Sequence, residues 1–103
     1  MQQFGLNPIQ TQIITDILAN YPEIESAIIY GSRAKGNFRE GSDVDLTLKG
    51  KRVDQRVLLQ IMGELDDSLS PYLFDLSIYH QLKNQNLIEE IDRTGKVFYQ
   101  KIV

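Results

Sequence analysis

The sequence predicts an α/β fold: a small mixed β-sheet with helices packed against it. Three observations predict it. Apolar residues at helical spacing alternate along the chain with short, strand-like apolar runs. The length of 103 residues suits one domain with a real core and leaves nothing for a second. The strand-like runs are also joined unequally. About a dozen residues separate the first two, which favours an antiparallel pairing, whereas a helix separates the second and third, which predicts a parallel crossover.

The first helix is expected over Pro8–Asn20. Asn7 can cap it, Pro8 suits the first helical position, and Ile9, Ile13, Ile14, Ile17 and Leu18 make an apolar stripe. Pro22 closes it, and Ser26–Tyr30 follows as a short strand ending at Gly31. A single helical turn can fit in the loop after Gly31. The second strand covers Ser42–Leu48, with Val44, Leu46 and Leu48 on one face and Asp43, Asp45 and Thr47 on the other. Asp54 can cap a helix over Gln55–Leu69 whose buried face is Val57, Leu58, Ile61, Met62, Leu65 and Leu69. Gly63 inside that helix predicts a close neighbour. Tyr72–Tyr79 reads as a buried strand, Asn84–Arg93 as a helix carrying Leu87, Ile88 and Ile91, and Val97–Gln100 as a final short strand.

Composition narrows the function. No cysteine is present, so neither disulfides nor a thiolate metal site is available. The start MQQFGLNPIQ has no basic segment followed by an apolar run, and no apolar run approaches bilayer length. A cytoplasmic protein without a membrane segment is expected. The net charge of −3 argues against general nucleic-acid binding. Yet residues 33–52 carry six cations (Arg33, Lys35, Arg39, Lys49, Lys51, Arg52) against three acids (Glu40, Asp43, Asp45). A locally basic segment in an acidic chain suits one small polyanion.

The chemistry concentrates in GSRAKGNFREGSDVDL, residues 31–46. Asp43 and Asp45 share a strand face at roughly 6–7 Å between Cα atoms. Two such carboxylates can converge on a hard cation such as Mg²⁺, or on two of them; an ordinary solvated strand face is the other reading. Asp75 lies in the run Tyr72–Ile78, which otherwise reads as buried. A buried carboxylate there needs a partner or a metal, and Leu73 on its face argues against solvent exposure. Gly31 lets backbone approach a ligand, and the amides after it can receive phosphate oxygens, with Ser32, Arg33 and Lys35 adding a hydroxyl and charge. Gly31 to Gly36 matches the glycine spacing of a P-loop, but Asn37-Phe38 stands where Lys-Ser/Thr is required, which excludes one. With the first two strands antiparallel, the Gly-Ser turn and the aspartates fall at the same end of the sheet.

Gly31-Ser32, ten residues, then Asp43-Val44-Asp45 resembles the signature of the DNA polymerase β-like nucleotidyltransferase superfamily. The local forms GSRAKG and GSDVDL are similar to its minimal, antitoxin-type members, encoded beside HEPN-domain partners. The resemblance spans nearly the whole chain and implies that superfamily's fold. It implies that Gly31 and Ser32 bind the triphosphate of ATP, that Asp43 and Asp45 ligate two Mg²⁺ ions, and that Asp75 ligates the catalytic metal and helps activate an acceptor hydroxyl. Arg33 and Lys35 would steady phosphates. The implied reaction is AMP transfer from ATP, and the implied acceptor a tyrosine of a HEPN-type toxin.

A chain this short has no residues for an acceptor-binding domain, so the acceptor must bring its own surface, as a partner protein or a second copy of this chain. Two other readings stay open: a module that masks a toxin by contact alone, and nucleotidyl transfer to a small molecule.

Overall fold

The computed structural model describes residues 4–39, 41–68 and 71–102. The element order is α1 (Pro8–Ala19), β1 (Ser26–Tyr30), α2 (Ser32–Lys35), β2 (Val44–Lys49), α3 (Gln55–Asp67), β3 (Phe74–Ile78), a 3-10 turn (Tyr79–Gln81), α4 (Gln85–Thr94) and β4 (Lys96–Gln100). The four strands form one sheet in the order β3-β2-β1-β4. β1 is antiparallel to both β2 and β4, and β2 is parallel to β3. The sequence-based pairing of the first three strands holds.

Caps set the helix starts. Asn7 Oδ1 accepts from the Gln10 amide at 2.8 Å, Asp54 Oδ1 from Val57 at 3.0 Å and Asn84 Oδ1 from Leu87 at 3.1 Å. Alternation within β2 then separates two environments. Val44, Leu46 and Leu48 are fully buried and pack with Ile14 and Leu18 of α1 and with Val57, Leu58, Ile61 and Leu65 of α3. Asp45 and Thr47 point to the other face. There α4 covers β1 through Ile91, which packs against Ile28 and Tyr30. The sheet thus has a fully helix-covered apolar face, and a polar face that α4 covers over β1.

Several expectations fail for one reason: faces at the rim are less covered than their composition predicts. Ile9 is 72% exposed, at the start of α1. Met62 is exposed too, and no neighbour lies within 4 Å of where a Cβ on Gly63 would sit. Residue Leu69 lies outside the described residues. β3 is shorter than predicted and forms an edge of the sheet, so Leu73 is 71% exposed instead of buried. Between Ala27 and Ile28 the register with β4 shifts, a bulge at which Phe98 is the extra residue. No helix among the described residues is long and apolar enough to cross a membrane.

Ile61 is fully buried between α3 and the sheet. Ile61→Ala is expected to lower the unfolding free energy by about 2–5 kcal/mol, read as a shift of the urea midpoint with unchanged slope.

Candidate active site

The register of three strands assembles the site. Tyr30 of β1 pairs with Asp45 of β2, and Asp45 pairs with Asp75 of β3. Side chains in register on one face stand roughly 4.8 Å apart from strand to strand. Asp45 and Asp75, thirty residues apart in sequence, are therefore immediate neighbours. Asp43 precedes β2 by one residue and is exposed. Asp75 is exposed as well, because β3 is an edge strand. The expectation of a buried Asp75 is corrected here: the two-sided burial of a central parallel strand is absent.

Gly31 is what allows Asp45 its position. Its φ of 76° and ψ of −152° fall in a region that only glycine enters freely. A Cβ on Gly31 would stand 2.5 Å from Asp45 Oδ2. The backbone turn and the carboxylate are thus in direct apposition. From Gly31 the chain winds into α2: the Lys35 amide donates to the Gly31 carbonyl at 3.1 Å, and the Gly36 and Asn37 amides donate to the Ser32 carbonyl at 3.0 and 3.1 Å. Gly36, in the left-handed conformation, ends it.

The two cations of this turn diverge. Lys35 points toward α4, with its Nζ 3.4 Å from Glu90 Oε1. Arg33 points inward and is 3% exposed. Its Nη1 donates to the Phe4 carbonyl at 2.8 Å, and its Nε and Nη2 both donate to the Ser42 carbonyl, at 3.2 and 2.8 Å. The guanidinium stacks on Phe38 and Tyr72, 5.2 and 5.1 Å from the ring centroids. Where the sequence places Arg33 beside a phosphate, the five contacts it makes among the described residues form a clamp between α2 and the residue before Asp43. The sequence could not separate Arg33 from Lys35, since only the third dimension tells which cation α2 buries.

Electrostatics mark the same spot. Burial pushes the Asp45 carboxyl above its ordinary value; Asp75, Asp43 and Glu90 add to the rise, and Arg33 opposes it. The Tyr30 phenol, 7% exposed, is raised mainly by burial, with Asp75, Asp45 and Glu90 contributing. Glu90 belongs to no motif in the sequence, and α4 brings it here. Among the described residues, no group of three or more His, Cys, Asp or Glu side chains closes on a point that could hold a metal ion. The donor set itself is suited to a hard cation: oxygen ligands only, like-charged, and adjacent in register. Two surface cavities, of about 300 and 380 Å³, are lined by other residues, Tyr21 and Tyr99 in one and Lys49 and His80 in the other.

The family model described as polymerase beta, nucleotidyltransferase, matches residues 12–102. The chain belongs to that family. It is a nucleotidyltransferase, as its Gly-Ser turn and aspartates led the sequence reading to expect. No protein of curated function matches the nucleotidyltransferase chain. Among solved structures it is similar to a toxin-antitoxin with AMP-PNP (18% identity, TM-score 0.72, covering 88% of this chain and 73% of that one). It is also similar to a tri-AMPylated Shewanella oneidensis HEPN toxin in complex with MNT antitoxin (16%, TM-score 0.66, 90% and 71%). A third is the toxin-antitoxin MntA-HepT (16%, TM-score 0.67, 92% and 74%). These likenesses establish the polymerase β-like nucleotidyltransferase fold for the chain.

Two substitutions test the geometry of the candidate site. Gly31→Ala is expected to cost about 1–3 kcal/mol through its backbone conformation alone and to displace the Asp45 carboxylate, seen by denaturation and by changed amide shifts at residue 45. Arg33→Lys cannot serve the Ser42 and Phe4 carbonyls together. It should lose about 1–3 kcal/mol in urea unfolding.

Proposed function

We propose that the chain transfers AMP from ATP to a hydroxyl of a partner protein, with a tyrosine of a HEPN-type toxin as the acceptor, and acts as that toxin's antitoxin in the cytoplasm. The observation that carries the reading is the apposition of Asp45 with Gly31 on one side and Asp75 on the other. It brings a phosphate-receiving turn against neighbouring carboxylates, which is what a metal-bound nucleoside triphosphate needs. The solved AMP-PNP and AMPylated HEPN toxin complexes of similar chains support the choice of nucleotide and acceptor.

In this reading Asp43, Asp45 and Asp75 hold Mg²⁺, two ions in all. The metal, when bound, supplies charge stabilisation at the phosphoryl oxygens. The chain's own groups do the rest. The backbone after Gly31 and the Ser32 hydroxyl receive the triphosphate, with the Lys35 ammonium at its side. Asp75, exposed on the open edge of the sheet, takes the proton of the arriving hydroxyl. The hydroxyl oxygen bonds to the α-phosphorus as the bond to the bridging oxygen breaks, and pyrophosphate leaves. Arg33 acts at one remove, by fixing Ser42 and hence Asp43. The family match reaches from residue 12 to 102, and in this reading the acceptor supplies its own docking surface. That partner, or a second copy of the chain, completes the assembly; no general nucleic-acid binding is part of it.

The test is intact-mass analysis of the protein with whatever co-purifies from its host, incubated with Mg²⁺ and ATP. AMP-sized increments on a partner are expected with wild type and not with Asp45→Asn. A partner held tightly but unmodified in both samples would replace transfer by masking through contact. Increments on a small molecule alone would replace the protein acceptor.

Asp45→Asn carries a second expectation. A carboxyl whose native pKa lies above its unfolded one is destabilising once ionised. Without Mg²⁺ at a pH where Asp45 is ionised, the variant should melt above wild type. The gap should close as pH falls through the native pKa of Asp45, where wild type is protonated too.

A further inference from the structure

Glu90 sits at the proposed site without being part of any motif. Ile91 anchors α4 on the polar face of the sheet, 2% exposed and packed against Ile28 and Tyr30. The preceding residue, Glu90, reaches across to α2, with Oε1 3.4 Å from Lys35 Nζ. Its charge is felt at Asp45 and at Tyr30. One carboxylate thus pairs with the cation of the Gly31–Ser32 turn and is felt at Asp45.

An ion pair as exposed as this one adds little to stability, so holding α2 and α4 together accounts for little of it. Its effect is on a long side chain. A free lysine samples many rotamers, and fixing it beside an incoming anion costs entropy at the moment of binding. A partner that fixes it beforehand removes that cost. The ammonium has three donors, so it can keep Glu90 and still give a hydrogen bond to a phosphate oxygen.

We infer that Glu90 is a positioning residue, holding the Lys35 ammonium at the mouth of the Gly31–Ser32 turn for the phosphates of the nucleotide. The inference rests on the nucleotide reading above and concerns binding, not the bond-making step.

Calorimetric titration of the full chain with Mg²⁺ and a non-hydrolysable ATP analogue tests it without needing the acceptor. Glu90→Gln should weaken binding roughly threefold to fivefold, the upper part of the range of an exposed ion pair. Its melting midpoint should stay at the wild-type value. Glu90→Asp should recover part of the loss. In a Lys35→Met background the Glu90→Gln change should have no further effect, because Glu90 acts through that ammonium. Glu90→Gln binding as well as or better than wild type would overturn the inference. So would an undiminished effect in the Lys35→Met background, which would place Glu90's action on the aspartates instead. A wild-type chain that does not bind the analogue at all would overturn the nucleotide reading, and this inference with it.

Discussion

One buried guanidinium joins the two halves of the motif. Arg33 belongs to the turn that starts at Gly31, and its principal acceptor is the carbonyl of Ser42, the residue before Asp43. The described residues between them include Gly36 and Gly41, both exposed and at positive φ. Left alone, a segment of that kind would let the turn and the aspartates drift apart. The two hydrogen bonds to one carbonyl close it, and the stacking on Phe38 and Tyr72 fixes the plane of the fork. Gly5 is part of the same fit, since a Cβ there would meet both Phe38 and Arg33. A charge that looks like ligand chemistry in the sequence is spent on geometry.

The other organising constraint is the place of β3. The acidic pair needs two adjacent strands, and a parallel neighbour for β2 requires the α3 crossover. That crossover delivers β3 to the edge of the sheet, where Asp75 is exposed and Leu73 stands beside it in solvent. If the acceptor is the macromolecule proposed above, an acid at an open edge serves it better than one in a closed cavity. Burial would have raised the cost of its charge and kept the acceptor out.

The fold was largely readable because its signals are local and agree with one another. Asn7, Asp54 and Asn84 each cap a helix where their position predicts, and the alternation of Val44, Leu46 and Leu48 with Asp45 and Thr47 orients β2 unaided. The juxtaposition of Gly31 and Asp45 follows from an antiparallel pairing that loop length alone implies. Legibility ends where a property belongs to the assembled sheet. Strand order decides that Leu73 and Asp75 are exposed, and no periodicity in Tyr72–Ile78 carries that information. The inward turn of Arg33, the outward turn of Lys35 and the arrival of Glu90 all depend on how α2 and α4 sit on the sheet. The exposure of Met62 and Ile9 has the same origin, because an apolar stripe shows which face is buried and not how far the cover extends.

The pairing of Tyr30 with Asp45 also ties the chemistry to the frame of the sheet. In a strand, sliding by one residue exchanges the two faces. A slip of β2 against β1 would drive Asp45 and Thr47 into the space of Leu46 and Leu48, among the helices, and turn those leucines to solvent. Such a state is too costly to persist. The chain therefore has no folded but disordered-site form of that kind to fall into. Whatever maintains the hydrophobic face maintains the spacing of the carboxylates, and selection on solubility alone would preserve the alignment of the proposed site.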